Sequence, residues 1–256
     1  MTDPRAMADT LIEAERTRTP IVPFTRAHPF LTVETAYKAQ QLFVEHRLQN
    51  GEGLIGVKLG LTSRVKRDAL GIHEPVYGRL TSGMLQVAAA QLPLQGLIRP
   101  RAEPEIAFLI GQELAGPVTA AGVLAATDSI VAAVEVMDSR YRERFRLPDS
   151  VADNAGAAHV VLGSRRRDPS ELEELALIGC VFRSRGEVVG TAAGGAVMGD
   201  PAEAVAWLVN TLAARGEHLA AGSVVLSGGL TASVPLVGGS NVTAELDGLG
   251  SIEIHS

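Results

Sequence analysis

Three glutamates are the residues of this sequence best suited to carry chemistry. Glu103 and Glu105 stand two apart at the start of a β-like run, and residues with that spacing share one face of a strand. Both carboxylates are therefore predicted to point the same way. The alternative is an amphipathic strand that turns Ile106 and Phe108 inward and both glutamates into water, although Ala107 continues the glutamate face.

Glu135 lies in a run, residues 130–137, that is apolar on both sides. A buried carboxylate is costly unless it pairs with a cation or binds a metal. One interpretation pairs Glu135 with Arg140. The other gathers it with Glu103 and Glu105 into an oxygen-rich site of the kind that Mg²⁺ or Mn²⁺ prefers. None of the six histidines has ligand-like spacing to another, so a zinc site is not predicted.

Lys58 stands between two glycines in the run Gly56 to Gly60. Lysine commonly extends its ammonium group to water, which is the first interpretation. The glycines instead favour close backbone approach to a ligand, and a lysine there would bind a carboxylate or transfer a proton. Asp153 and Asn154 follow a proline-containing segment and are either a plain turn or ligand contacts.

The elements that must position these side chains form a helical segment followed by a β-rich region. Helices are predicted at 6–16, 32–50, 119–126 and from Pro201, and the longest strands at 54–62, 102–110 and 130–137. We predict an α+β fold in which residues 1–52 are an N-terminal helical segment and residues 53–256 a catalytic β-rich domain.

Composition excludes several functional classes. The net charge is −6, and the one basic triplet, residues 165–167, is too short to neutralise many phosphates, so no nucleic-acid partner is expected. A single cysteine, Cys180, excludes an internal disulfide. The N-terminus lacks the apolar core of a signal peptide, and no apolar run approaches the roughly 18 residues of a membrane span. The sequence therefore predicts a soluble, cytoplasmic protein without a membrane partner.

The same segments, in this order, resemble the hydratase/decarboxylase branch of the fumarylacetoacetase-like superfamily. The resemblance runs from about Thr32 to the C-terminus, and its segments are Gly56–Ser63, Glu74–Gly78, Pro100–Phe108, Glu135–Tyr141, Val151–Asn154 and 194–212. It implies a mixed β-roll core with an N-terminal helical layer. It also implies a homo-oligomer, for which a complex with a hydratase or decarboxylase paralogue is an open option.

The resemblance implies that Glu103, Glu105 and Glu135 ligate the divalent metal, Mg²⁺ or Mn²⁺, and that Lys58 lines the active site. The candidate catalytic residues are Lys58 and Asp153, the latter as an acid or base. The candidate substrate contacts are Thr62, Ser63, Arg140 and Asn154. One departure is that Ala155 to Ala158 stand where hydroxyl-bearing residues are expected after the Asp-Asn pair.

Two activities compete within this branch, both on a small 2-oxo or 2-hydroxydienoic acid of aromatic (meta-cleavage) catabolism. Segments such as Leu226 to Thr231 favour decarboxylation of 4-oxalocrotonate (2-oxo-3-hexenedioate) to 2-hydroxypenta-2,4-dienoate. Hydration of 2-hydroxypenta-2,4-dienoate (2-oxopent-4-enoate) is the alternative. A non-enzymatic role, in which the chain binds a small acid or supports a partner enzyme, is the hypothesis from another class. Hydrolysis of a C–C bond is a further option, for which no histidine clearly matches the required base.

Overall fold

Helices occupy the N-terminal part of the chain and flank the later strands. The computed structural model describes residues 3–88 and 91–256, without the side chains of residues 66, 69 and 70. Its helices are α1 Pro4–Thr17, α2 Phe24–Ala27, α3 Val33–Gln49, α4 Arg64–Leu70, α5 Ala120–Ala126, α6 Leu147–Ala152 and α7 Pro201–Ala213.

The longer helices begin where the sequence places capping residues. The Asp3 side chain accepts the Arg5 amide at the start of α1, and the Thr32 hydroxyl accepts the Thr35 amide at the start of α3. Asp200 caps α7 in the same way. The first turn of α1 and of α7 also contains a proline, which suits a helix start because its missing amide donor would be unpaired there.

The strands form two sheets. They are β1 Leu54–Gly60, β2 Val76–Thr81, β3 Leu85–Gln86, β4 Arg101–Ile110, β5 Thr127–Met137, β6 Ala157–Leu162, β7 Gly179–Ser184, β8 Glu187–Ala193, β9 Val224–Leu226, β10 Val234–Pro235, β11 Asn241–Leu246 and β12 Gly250–His255. The larger sheet has the order β2-β1-β9-β4-β5-β6-β3, with β10 on β4, and the smaller has the order β12-β11-β7-β8. The larger sheet is mixed, since β1 and β9 run parallel while β4 and β5 run antiparallel.

The central pair β4 and β5 fixes the position of the glutamates. Their register places Glu103 directly opposite Glu135 and Glu105 opposite Ala133. Opposite residues of an antiparallel pair carry their side chains on the same face, so the three carboxylates share one side of the sheet.

Hydrophobic side chains cover both faces of β4 and β5. Ile106 and Phe108 belong to one buried cluster, and Ala107 belongs to another with Val131 and Ala133. The alternative of an amphipathic strand with solvated glutamates is therefore wrong for Glu105, whose side chain is fully buried.

The α+β class, the mixed β core and the helical layer are confirmed. The N-terminal helices share a hydrophobic cluster with Tyr141, Val151 and Ala155, so they pack on the segment that follows β5. Gly71, Pro75 and Gly78 are residues that favour a turn-rich loop, but Gly78 lies within strand β2. Its pairing with β1 is a tertiary effect that local glycine content did not reveal. No helix among the described residues is both long and apolar enough to cross a membrane.

Candidate metal centre and active site

Three carboxylates converge beside the central strand pair. One oxygen from each of Glu103, Glu105 and Glu135 lies within 4.8 Å of the other two. Glu105 and Glu135 are fully buried, and Glu103 is half-buried. The arrangement brings three formal negative charges together in a region of low polarity, which requires compensation.

The protein itself supplies only part of that compensation. Glu105 Oε2 accepts the Gly228 amide at 2.7 Å, but Glu105 Oε1 and Glu135 Oε2 are buried without a hydrogen-bond donor in the described chain. Burial, followed by the charges of Glu135 and Glu103, raises the pKa of Glu105 well above its usual value. Unsatisfied carboxylate oxygens at this spacing fit a hard divalent cation such as Mg²⁺ or Mn²⁺.

Lys58 is the internal cation of this cluster. Its ammonium nitrogen lies 2.9 Å from Glu135 Oε1 and donates to the Ala155 carbonyl oxygen at 3.0 Å. The side chain is 1% exposed, so the interpretation of a lysine extended into water is wrong. Burial alone would lower the pKa of Lys58, but the three glutamates outweigh it and the pKa is raised. Lys58, and not Arg140, is therefore the cation paired with Glu135.

The Ala155 carbonyl is aimed at Lys58 by an unusual backbone segment. Asn154, Ala155 and Gly156 have positive φ angles of 52°, 51° and 73° in succession. A non-glycine residue in this region costs about 1–3 kcal/mol and is retained where the surroundings over-determine it. Two hydrogen bonds to the backbone of Arg79 hold the Asn154 side chain. Asn154 Oδ1 accepts the Arg79 amide at 2.7 Å, and Asn154 Nδ2 donates to the Arg79 carbonyl oxygen at 2.9 Å.

Asp153 and Arg140 form a second buried pair next to this segment. Arg140 Nη1 lies 3.3 Å from Asp153 Oδ1, and the Arg140 amide donates to Asp153 Oδ2 at 3.0 Å. Arg140 Nη2 also donates to Glu15 of α1 at 2.8 Å. Burial outweighs the nearby guanidinium and raises the pKa of Asp153 to about 7. A carboxyl group with that pKa suits proton transfer near neutral pH.

A cavity of about 410 Å³ opens over these groups. Among the predicted site residues it is lined by Lys58, Thr62, Ser63, Glu103 and Asp153. Arg140 and Asn154 lie behind the residues that line the cavity. The guanidinium of Arg140 donates to acidic side chains and backbone carbonyls, and the side-chain amide of Asn154 donates to the Arg79 carbonyl oxygen. Neither residue is among those that line the cavity, and their role as substrate contacts stays a prediction.

The chain is similar to known proteins over most of its length. A family model described as fumarylacetoacetate (FAA) hydrolase C-terminal matches residues 76–255. The chain belongs to the fumarylacetoacetate hydrolase family. A 2-hydroxyhexa-2,4-dienoate hydratase of Comamonas testosteroni is 42% identical over 249 residues, covering 96% of this chain and 94% of the relative. A 4-oxalocrotonate decarboxylase of Pseudomonas sp. strain CF600 is 39% identical with the same coverage.

A solved member of the family has almost the same fold. The 4-oxalocrotonate decarboxylase from Pseudomonas putida G7, complexed with magnesium and adipate, superposes with a TM-score of 0.94 at 36% identity. The match covers 98% of this chain and 96% of that one. The same decarboxylase has also been solved with calcium and acetate.

A glycine turn completes the site, and sequence reasoning did not assign it a role. Gly228 has a φ of 121° and donates its amide to Glu105, and a β-carbon on it would lie 2.2 Å from Thr62 Oγ1. A β-carbon on Gly229 would lie 2.5 Å from the Glu103 carboxylate. The adjacent Gly-Gly pair in the sequence was the available signal, because successive glycines favour close approach of the backbone to another group.

Gly229→Ala is expected to weaken metal binding without unfolding the protein. The added methyl group would push the Glu103 carboxylate away from Glu105 and Glu135. Changes that only misplace metal ligands lower affinity by about 10–100-fold, so we expect a loss of that size for Mg²⁺ in calorimetric titration. Gly179→Ala is the control, because a β-carbon there meets nothing within 4 Å. Unchanged Mg²⁺ affinity in Gly229→Ala would contradict this role for the turn.

Asp153→Asn is expected to change how stability depends on pH. An aspartate with an unfolded-state pKa near 3.8 and a folded pKa of about 7 binds its proton more tightly when folded, so stability falls as pH rises between these values. Asparagine does not titrate. The free energy of unfolding of the variant should therefore rise relative to wild type by about 2–4 kcal/mol between pH 4 and pH 8.

Urea unfolding at both pH values measures this difference. Asp128→Asn is the control, because the Asp128 side chain is 61% exposed and its pair with Arg166 spans 4.0 Å. A difference between Asp153→Asn and wild type that stays constant with pH would show that Asp153 titrates normally in the folded protein.

Proposed function

We propose that this protein is a divalent-metal-dependent lyase that decarboxylates 4-oxalocrotonate to 2-hydroxypenta-2,4-dienoate. The observation that carries the proposal is the set of three converging carboxylates, one of them paired with Lys58, beside a cavity. The overall likeness to a decarboxylase solved with magnesium and adipate supports the same reaction.

The proposed reaction needs positive charge at the C2 oxygen of the substrate. As the C5–C6 bond breaks and C6 leaves as CO₂, its electron pair forms the C4–C5 double bond, the old C3–C4 double bond shifts to C2–C3, and charge collects on the C2 oxygen. A divalent cation held by Glu103, Glu105 and Glu135 would supply the Lewis acidity for the C1 carboxylate and C2 oxygens. Lys58 holds a proton at Nζ on the cavity wall and is placed to deliver it to that oxygen.

Asp153 supplies a second site for proton transfer. Its carboxyl group lines the cavity, and its pKa of about 7 leaves both protonation states populated at neutral pH. The Arg140 amide and guanidinium fix its orientation. Asp153 therefore suits exchange of a proton with the substrate or with a water molecule, whereas Lys58 suits binding of negative charge.

Hydration of 2-hydroxypenta-2,4-dienoate is the second candidate. The 42% identity to a 2-hydroxyhexa-2,4-dienoate hydratase favours it. The dienol would first lose its 2-hydroxyl proton and gain a proton at C5, which gives a C2 ketone with a C3–C4 double bond. Water would then add at C4 and give its proton to Asp153, and C3 would take up a proton as the C2 oxygen returns to a ketone. The two reactions thus use one site and differ in whether the substrate has a distal carboxylate to lose.

Parallel assays of metal-free and Mg²⁺-loaded protein test the proposal. One tube contains 4-oxalocrotonate with measurement of CO₂, and the other contains 2-hydroxypenta-2,4-dienoate with its absorbance followed. Mg²⁺-dependent CO₂ release supports the decarboxylase. Consumption of the dienoate without CO₂ release from the first tube supports the hydratase. Metal binding without turnover in either tube would refute both and favour a binding or partner-supporting role.

We also propose that the protein forms a homo-oligomer and acts in the cytoplasm. The outer strand β8 leaves Val188 and Val189 about half exposed, which supports burial of that edge against another chain. Light scattering of the purified protein would measure the mass of the assembly. Co-purification with a hydratase or decarboxylase paralogue would identify a mixed complex.

A further inference from the structure

Two arginines line the same cavity as Glu103 and Lys58, and they form no ion pair with any described acidic side chain. They are Arg99, in the segment before β4, and Arg101, the first residue of β4. Arginine is the side chain best suited to a planar carboxylate, because its guanidinium presents parallel donors in a fixed fork. Unpaired guanidinium groups facing a cavity point to an anionic group in the ligand.

The backbone and hydroxyl contacts of these arginines hold them in place. The Arg101 side chain donates through Nε to the Ser233 hydroxyl at 2.9 Å and through Nη2 to the Ser233 carbonyl oxygen. Arg99 Nη1 donates to the Arg142 carbonyl at 2.9 Å. The buried Asp138 carboxylate accepts the Ile98 and Arg99 amides at 2.9 and 2.6 Å, which fixes the segment before β4. The remaining guanidinium donors stay available to a ligand.

The distance between Arg101 and the carboxylate cluster sets the length of a ligand that could reach both. Arg101 and Glu103 stand two apart on β4 and so share a face, with their Cα atoms about 7 Å apart. Five carbon–carbon bonds of about 1.5 Å in a zigzag place the two carboxyl carbons of a six-carbon dioic acid about 6 Å apart. A substrate anchored at the cluster by its C1 end therefore brings its far carboxylate to the arginines.

Besides Glu103 and Asp153, the described lining of the cavity includes one acidic side chain, Glu143. Its carboxylate is bound by Arg26 at 3.1 and 3.3 Å, and these bonds lower the pKa of Glu143. The charge of Glu143 is thus already matched by a residue that does not line the cavity. Arg99 and Arg101 are thus positive charges of the cavity lining that no described acidic side chain matches.

We propose that Arg101, assisted by Arg99, binds the distal carboxylate of a six-carbon 2-oxo dicarboxylic acid and selects it over monocarboxylic analogues. This inference rests on the proposed function and names the residue that separates its two candidate substrates. Only the decarboxylation substrate carries a distal carboxylate. A hydratase acting on a five-carbon monocarboxylate would gain nothing from the two arginines.

The effect of Arg101 on KM and kcat depends on the stage of the reaction at which the distal carboxylate is charged. The carboxylate is fully charged in the bound substrate and loses its charge as CO₂ departs. An arginine bound to it therefore stabilises the ground state at least as well as the transition state, which lowers KM without raising kcat. Arg101→Met should raise KM for 4-oxalocrotonate about tenfold and leave kcat unchanged or slightly higher.

A matched pair of inhibitors tests the binding independently of turnover. 2-Oxohexanedioate and 2-oxohexanoate differ only in the distal carboxylate, and both are titrated into Mg²⁺-loaded protein by calorimetry. We expect wild type to prefer the dicarboxylate, and Arg101→Met to lose about tenfold in affinity for it with no change for the monocarboxylate. Arg183→Met is the control, since this arginine is also on a strand and bonded to a neighbour but lies in the smaller sheet.

The outcomes separate this inference from the proposed function. Equal losses for both inhibitors, or no loss for either, would overturn the role of Arg101 even if the protein releases CO₂. Selective loss for the dicarboxylate in a protein that releases no CO₂ would keep the subsite and refute the decarboxylase.

Discussion

Glu105→Gln is expected to lower metal-dependent turnover by at least about 100-fold, since even residues that only orient metal ligands change affinity or activity by 10–100-fold. The substitution keeps the shape of the side chain and removes the fully buried charge at the centre of the cluster. The Gly228 amide can still donate to the remaining amide oxygen, so the fold should persist. Steady-state rates at saturating Mg²⁺ measure the effect.

The same variant should separate loss of metal binding from loss of folding. Without metal, Glu105 is a buried carboxylate beside two others, so its replacement should leave the metal-free protein at least as stable as wild type. The rise in Tm that Mg²⁺ gives wild type should disappear. Glu113→Gln is the control, because the Glu113 side chain is 61% exposed near His218. Near-normal activity of Glu105→Gln would refute its assignment as a ligand.

Lys58→Met is expected to impair both stability and activity. Removing one member of a buried ion pair typically costs about 3–5 kcal/mol, because the other charge stays buried without a partner. Here Glu135 would lose its cation at 2.9 Å, and the Ala155 carbonyl would lose its donor. If Lys58 also delivers a proton to the C2 oxygen, kcat should fall by about 10²–10⁴-fold.

The metal offers a way to tell these two effects apart. Mg²⁺ would itself compensate the glutamates, so it should restore most of the lost stability of Lys58→Met but none of the lost kcat. Lys38→Met is the matched control: Lys38 pairs with Glu34 on the exposed surface of α3, so its loss should leave stability close to that of wild type. Recovery of kcat together with stability would show that Lys58 acts only by holding Glu135.

Residues with strong local constraints were predictable from the sequence. Glu135 was singled out because its neighbours are apolar on both sides, and Glu103 and Glu105 because their spacing puts them on one face of a strand. These are properties of single strands, and the register of β4 against β5 then brings the three together. Helix starts at Thr32 and Asp200 were equally local, since capping depends on side chains a few residues away.

Contacts between segments that are distant in sequence could not be predicted from the local sequence pattern. Lys58 and Glu135 are 77 positions apart, and nothing near either residue shows that β1 and β5 face the same cavity. The pairing of Arg140 with Glu15 and Asp153 likewise depends on how α1 packs against the chain after β5. The Asn154 side chain bonds the backbone of Arg79, 75 positions away, which the local sequence does not reveal; its role as a substrate contact stays a prediction.

The most direct test of the central claim is to locate the metal by anomalous diffraction from a crystal of this protein soaked in Mn²⁺. We predict one strong anomalous peak in contact with a carboxylate oxygen of each of Glu103, Glu105 and Glu135, at about 2.0–2.3 Å, as expected for a small divalent cation. Absence of a peak there at saturating Mn²⁺, with Lys58 alone compensating the glutamates, would contradict the metal-dependent mechanism.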